Sequence, residues 1–338
     1  MNPNEKSKNP YSSNVHPRAR IHPDARVAPT AIIQEDVEIG EGTTIGPNVV
    51  IYNGVRIGNH CSIMPGVTLS ADISQLEFWR EEKVSEAIKP RMVIGNHVHI
   101  EPSATLHGGI TIGDGSWIGS HTTIHDGARI GKNCRIFPGA IISAIPQDLK
   151  FDGERTTLVI GDNTTIRECA TLNRGTSAHG QTSIGQNVLI MAYTHVAHDC
   201  QIGNHVVLAN AVNLAGHVEI EDHVVIGGVS AVHQFVKIGR HAFVSGGSLV
   251  RKDVPPYVKA GRNPVKYEGV NSIGLRRRGY TNEVIHGIQD IYRSIFLSGM
   301  NTSKALDYVE THLPATEERD EVITFIRKAT RGIIRGHS

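Results

Sequence analysis

From Val15 through Ile21 and Val27 to Leu69, an aliphatic residue returns at every sixth position. The beat resumes from Ile94 to Ile142, is heard at Ile160, Ile166 and Leu172, and then runs unbroken from Ile184 to Val250. A period of six suits neither the 3.6 of a helix nor the alternation of a simple strand. It suits a chain that turns a corner every six residues, with three short strands to a triangular coil. Each aliphatic then points inward and stacks on its equivalent one coil later, about 4.8 Å away. Glycine often follows the aliphatic and is read as a corner residue needing φ > 0; the fifth position is usually small or β-branched.

The pattern predicts an all-β parallel β-helix over residues 15–258. Its handedness is taken from a resemblance to hexapeptide solenoids, which are left-handed. Residues 1–14 are polar and read as disordered. Two stretches break the rhythm: 70–93, which is charged, and 143–157, which lacks the aliphatic pattern, and both read as excursions from the prism. Beyond Pro255-Pro256 the period becomes helical, so 259–338 is expected to be a helical domain. "TNEVIHGIQDIYRSIFLSG" (281–299) opens on a capping threonine and closes on glycine. "NTSKALDYVETHL" and "EERDEVITFIRKATRGII" are two further amphipathic segments.

Composition narrows the function classes. With 34 Lys+Arg against 33 Asp+Glu, the charge makes no case for nucleic acid or an anionic membrane. The four cysteines lie far apart, without CxxC or metal-type spacing. No secretion signal and no membrane span are legible, so a cytoplasmic protein is expected.

Nineteen histidines call for sorting. His205, His223 and His241 lie 18 apart at one hexad position and are expected to stack as scaffold; His60 and His97 share the "IGNH" context. In "YTHVAHDCQIGNHVVLANAVNLAGHVEI" (193–220), His195, His198 and His217 depart from that pattern. The column of His198 continues through Gly216 and Gln234 to Lys252, one coil at a time. An imidazole takes a proton near neutral pH. A glycine N–H beside it, free of any side chain, can face a developing oxyanion. Two other readings stay open on spacing alone: a histidine-rich corner that merely solvates the surface, and zinc held through "HVAH" (195–198).

"PQDLKFDGE" (146–154), "LNRGT" (172–176), "AHDCQIGN" (197–204), "LAGHV" (214–218), "AVHQF" (231–235), "DVPPYV" (253–258) and "GLRRRGY" (274–280) resemble, in order, the UDP-N-acetylglucosamine O-acyltransferase family of lipid A biosynthesis. The resemblance covers roughly residues 94–335. It implies a homotrimer with active sites between neighbouring prisms. The reaction would carry a 3-hydroxyacyl group from acyl carrier protein to the 3-hydroxyl of UDP-N-acetylglucosamine, with no metal or other cofactor. By the same likeness His198 is the general base, Asp199 its orienting partner and Gly216 the oxyanion donor. Direct attack by the sugar hydroxyl leaves Cys200 a packing residue. Gln147, Asp148 and Lys150 are implied as sugar-pocket residues, and His195, His217, His233 and Gln234 as positioning residues. Asn271, Arg277 and Arg278 are implied as nucleotide-diphosphate contacts, although "RRR" (276–278) equally suits a solvated helix end or a docking patch for the acidic carrier. Gly246 aligns with the acyl-chain ruler, its missing side chain leaving room for a chain on the order of fourteen carbons.

The chain departs from the family in roughly three extra coils before the "QDLK" segment, in Ile273 where an acidic residue is expected, and in Asn173 where some members carry histidine. Three other readings remain: the later N-acyltransferase of the same pathway, a metal-binding trimer such as a γ-type carbonic anhydrase, and a structural β-helix without catalysis.

Overall fold

The computed structural model describes residues 14–71 and 92–336. Residues 1–13 and most of the 70–93 excursion lie outside the described residues. The chain forms two compact units, one ending at Ile142 and the other beginning at Ser143.

Each unit is built from the expected coil of a left-handed parallel β-helix. In the first, Glu38–Ile39 pairs with Arg56–Ile57, and Trp117–Ile118 with Arg135–Ile136, all parallel and 18 residues apart. Met92–Ile94 resumes beside Val55–Ile57, so this coil takes 37 residues against the 18 of the first unit's regular coils. The flanking strands Thr68–Ala71 and Met92–Ile94 belong to the prism, so the excursion is shorter than 70–93 at both ends.

In the second unit, His195–Val196 pairs with Asn213–Leu214, and that strand with Ala231–Val232, again in register. Two residues per hexad are buried, the aliphatic and the small fifth residue: Val196 and Cys200, Leu214 and Val218. Dense stacking of these columns removes apolar surface from water and holds the coils together. Buried Cys200 directs its Sγ at the Ala215 carbonyl, 3.2 Å away, and burial pushes its thiol up to about 12. That is a packing cysteine and a poor nucleophile.

The glycine expectation needs correction. The left-handed residue of each corner is the third after the aliphatic, and it carries a side chain at Asn48 (φ 57), His205 (φ 56) and Val229 (φ 57). The glycine that follows the aliphatic serves close approach instead. A Cβ on Gly185 would sit 2.6 Å from the Gly203 carbonyl carbon of the next coil.

Three further boundaries differ from expectation. Strand Ile141–Ala144 carries the coil up to the 143–157 excursion, which closes at strand Thr157–Ile160. Thr157 to Ile160 then pair with Gln181 to Ile184, 24 residues on, so a second, smaller excursion lies near 174–180. It carries no aliphatic of the repeat, and the Thr176 hydroxyl bonds instead to Asp199 of the next coil. Strands Val258–Gly261 and Lys266–Val270 form an antiparallel pair after the last coils, so helices begin at Ser272 and not at 259.

Helix α1 (Ser272–Arg277) is capped by Asn271. Helix α2 (Asn282–Phe296) is capped by Thr281 and buries Ile285, Ile288, Ile291, Tyr292 and Ile295. Helices α3 (Thr302–His312) and α4 (Glu317–Arg327) follow. The segment expected to be helical to residue 334 stops at Arg327. Ile333 instead bridges to Asp253 and Arg335 to Lys266, carrying the tail back along the strands. Among the described residues no helix is long and apolar enough to cross a membrane.

Candidate active site

One corner of the second unit carries two columns of side chains. At the second position after the aliphatic stand His198, Gly216 and Gln234; at the left-handed third position stand Asp199 (φ 59), His217 (φ 61) and Phe235 (φ 65). Register alone brings each trio together, because His195↔Asn213↔Ala231 stack directly.

His198 Nδ1 lies 2.8 Å from Asp199 Oδ2, and the Asp199 side chain is 0% exposed while that of His198 is 14% exposed. The carboxylate is further satisfied by Thr176, whose N–H donates to Oδ1 (3.0 Å) and whose hydroxyl donates to Oδ2 (2.6 Å). The Asp199 N–H donates to Thr182 Oγ1 at 2.8 Å, fixing the turn. Burial by itself would raise the Asp199 carboxyl. Hydrogen bonds from Thr176 and His198, with the nearby His217, outweigh it and hold the group below the usual carboxylate range. An ionised carboxylate accepts only, so His198 donates Nδ1–H to it and leaves Nε2 as its basic atom.

The other edge of that imidazole lies on bare backbone. A Cβ on Gly216 would be 2.7 Å from His198 Cε1 and 2.8 Å from Nε2, so no other residue fits there without displacing the ring. Among the described residues the Gly216 N–H has no protein acceptor, while its carbonyl accepts from Phe235 N–H at 3.2 Å. A base and an unused donor thus share one patch of wall.

His217 completes the group. Its ring stands edge-on to His198 (5.1 Å, 90°), stacks on Phe235 (4.6 Å, 14°), and places Nε2 3.8 Å from Asp199 Oδ2. Burial lowers the His217 pKa first; Asp199 acts against this, and His198 and His179 add to it. His195 is likewise lowered by burial and then by His198, and its Nδ1 meets Thr171 Oγ1 at 2.7 Å. One nitrogen each of His198 and His217 and a carboxylate oxygen of Asp199 lie within 4.8 Å of one another, a grouping that differs from the "HVAH" pair. Both oxygens of Asp199 are already committed to Thr176 and His198.

Two clefts meet at His198. One, of about 350 Å³, is lined by Gln147, His195, His198, Asn213, Gly216 and Val232 among others. The second, of about 520 Å³, is walled by Gln147, Asp148, Leu149 and Lys150 of the 143–157 excursion on one side, and by His217, Gln234 and Phe235 on the other. Leu149 at its tip is fully exposed. The excursion is pinned at its base by Asn173, whose Nδ2 donates to the Ala144 and Ile145 carbonyls at 3.3 and 2.5 Å. Asn173 thus serves as a clasp at the foot of the excursion.

The structure therefore gathers Gln147, Asp148, Lys150, His195, His198, Asp199, Gly216, His217 and Gln234 around one pair of clefts. It places the others elsewhere. His233 is exposed and its Nδ1 faces Arg331 at 3.0 Å. Asn271 is buried, donating to the His241 carbonyl (2.9 Å) and accepting from Gly274 N–H (3.3 Å) as the cap of α1. Arg278 donates to the His223 carbonyl at 3.0 Å, and Arg277 is exposed. Gly246 is exposed, and a Cβ there would lie 3.1 Å from the Gly228 carbonyl oxygen. Sequence reasoning assigned no role to Thr176, Thr182, Phe235 or Arg331. Thr176 closes the "LNRGT" motif, which was the signal available for it.

A sequence profile described as UDP N-acetylglucosamine O-acyltransferase, domain 2, matches residues 253–334, and the bacterial transferase hexapeptide profile matches 36–71, 91–126, 109–144 and 181–216. A relative from Chlorobaculum parvum named acyl-(acyl-carrier-protein)–UDP-N-acetylglucosamine O-acyltransferase is 57% identical over 252 residues, covering 69% of this chain and 96% of its own. The chain belongs to that O-acyltransferase family. A relative of the same name from Chlorobium phaeobacteroides is 62% identical over 195 residues, covering 57% of this chain and 74% of its own. The solved structure of LpxA from Acinetobacter baumannii superposes with a TM-score of 0.71 at 42% identity, over 73% of this chain and 97% of that one. The Francisella novicida UDP-N-acetylglucosamine acyltransferase superposes with a TM-score of 0.67 at 31% identity, over 95% and 94% of the two chains. Family membership and the β-helix thus stand together, and the chain is an enzyme of this acyltransferase class.

Proposed function

We propose that this chain transfers a 3-hydroxyacyl group from acyl carrier protein to the 3-hydroxyl of UDP-N-acetylglucosamine, the first step of lipid A biosynthesis, acting as a cytoplasmic homotrimer. The observation that carries the chemistry is a 2.8 Å contact between His198 Nδ1 and buried Asp199, on a ring whose other edge rests against Gly216. His198 Nε2 takes the hydroxyl proton as the sugar oxygen attacks the thioester carbonyl. The new charge on the carbonyl oxygen meets the Gly216 N–H. Asp199 offsets the charge of the imidazolium, and its 0% exposure keeps water from screening that interaction. Collapse of the tetrahedral intermediate breaks the carbon–sulfur bond, and His198 returns its proton to the departing thiolate. No protein nucleophile is used, consistent with the high pKa of the Cys200 thiol.

Gln147, Asp148 and Lys150 stand where they would clasp the sugar, opposite His217 and Gln234. Arg277, Arg278 and Asn271 lie off these clefts, and in the proposed trimer the two arginines would reach a nucleotide held by a neighbouring prism. Exposed Gly246 leaves the wall open for a long acyl chain. Mass spectrometry of products from UDP-N-acetylglucosamine, its 3-amino counterpart and a panel of acyl carrier protein thioesters tests the reading. Preferential acylation of the 3-amino sugar, or no acylation at all, would overturn it. Gly246→Met should shift preference to shorter acyl chains, and an unchanged profile would defeat the ruler.

A further inference from the structure

The end of the chain returns to the catalytic corner. Beyond α4 the tail lies against the last strands, the Gly332 carbonyl accepting from Asp253 N–H (3.0 Å) and the Arg331 N–H donating to Asp253 Oδ2 (3.3 Å). This anchorage delivers the Arg331 side chain to a turn some hundred residues earlier in sequence. Its Nε and Nη2 donate to the Gln234 carbonyl at 3.3 and 3.1 Å, and Nη2 also meets His233 Nδ1 at 3.0 Å. The guanidinium carbon sits 5.8 Å from the centroid of the Phe235 ring.

Phe235 occupies the left-handed corner position (φ 65), as His217 does one coil earlier and Asp199 two coils earlier. Arg331 grips the carbonyl just before it and lies over its ring. A planar fork is suited to both contacts at once. From Phe235 the contacts continue inward, ring on ring at 4.6 Å to His217, and from His217 edge-on at 5.1 Å to His198. Gln234 and Phe235 themselves wall the larger cleft.

We infer that Arg331 is a positioning residue: it holds the Gln234–Phe235 turn of the cleft wall, and through the Phe235 ring it sets His217 against the Asp199–His198 pair. The tail thereby couples the end of the helical region to the geometry of the base. Only the kinetic readout below rests on the proposed acyl transfer; the titration needs no substrate.

The groups facing His217 are Asp199, His198, His179 and Asp148, with burial the main cause of its lowered pKa. Loosening the Phe235 cover should let water reach the ring and raise that pKa. The test is carbon-13 histidine NMR on the full chain, with His217→Gln to assign the resonance, alongside steady-state kinetics. Arg331→Met should move the His217 midpoint up by about 0.5 pH unit and lower kcat/KM about tenfold, chiefly through kcat. Arg331→Lys keeps the charge but not the fork, and should shift both readouts in the same direction by a smaller amount. Melting temperatures should stay close to the parent. A His217 midpoint and kcat/KM both within experimental error of the parent in the two variants would overturn the assignment. Should either variant fail to fold, Phe235→Leu breaks the same relay without touching the tail and is judged on the same two readouts. Absence of transfer by the parent protein would count against the acyltransfer reading alone.

Discussion

Two corners of the second unit start from the same backbone and end in different chemistry. At one, His205, His223 and His241 fill successive left-handed positions and stack with centroids 4.7 and 4.8 Å apart, nearly parallel, down to Tyr257. At the other, the same positions hold Asp199, His217 and Phe235. The neighbouring column differs just as sharply. At the first corner Asn204 Oδ1 accepts from Gln186 N–H and Asp222 Oδ1 from Asn204 N–H, at 2.9 and 2.7 Å, so side chains close the backbone ladder. At the second, the ring of His198 covers Gly216, and among the described residues the Gly216 N–H has no protein acceptor. A histidine column becomes a site when a buried carboxylate joins it and one backbone donor stays open.

Electrostatics separates the corners too. Among the described residues no carboxylate forms an ion pair with His241; burial, then the charges of His223, Arg278 and Arg240, outweigh the more distant Asp222 and take its pKa down to about 3. It is a neutral stacking ring. His198 instead donates Nδ1–H to the buried Asp199 carboxylate at 2.8 Å, which fixes its tautomer.

The sharpest way to break this contrast is to remove one histidine from each corner. His198→Ala should lower kcat on the order of a thousandfold, whereas His223→Ala should leave kcat within about threefold, since no reacting group touches it. Comparable losses from both would erase the distinction. Gly216→Ala comes next. Its methyl would sit 2.7 Å from Cε1 and push the base aside, for a loss of about a hundredfold in kcat; a crystal structure of the variant with His198 unmoved would contradict the steric reason. Thr176→Val removes the 2.6 Å hydroxyl contact to Asp199, and a loss of about tenfold in kcat is expected. Activity equal to the parent would mean that Asp199 is held by its other partners alone.

The smallest effect is on stability at the structural corner. The folded-state pKa of His241 is depressed from 6.5 to about 3. Between those values the unfolded chain binds a proton that the folded chain refuses, so stability is complete above pH 6.5 and falls as the pH drops. One such group accounts for about 2 kcal/mol between roughly pH 6.5 and 5. His241→Asn, which tolerates the left-handed turn, should flatten the melting-temperature profile over that window, and an unaltered slope would show that other groups set it.

The repeat was legible because a β-helix obliges every sixth residue to face the same interior; one-dimensional spacing and three-dimensional stacking carry the same information. That logic extended to the His198–Gly216–Gln234 column, since a constant rise per coil turns an 18-residue interval into a contact. It failed where the chain leaves the coil. The excursion near 174–180 adds six residues without an aliphatic signature, and it brings Thr176 to Asp199, 23 residues away. Asn271 and Arg278 carried motif-level likeness, but the contacts they make here, the α1 cap and the His223 carbonyl, join elements that no period relates. Arg331 had no signal at all, because its partners lie 97 and 98 residues earlier.

Sequence alone thus determined the prism, its inward columns and the imidazole facing a bare glycine, since all of these follow from a fixed period. Tertiary structure alone decided which groups pack around the base and its supports: a threonine from a loop, a phenylalanine at a left-handed corner and an arginine from the returning tail. Hydrogen bonds and ring contacts act over a few ångströms of space and are indifferent to separation along the chain, so nothing periodic announces them.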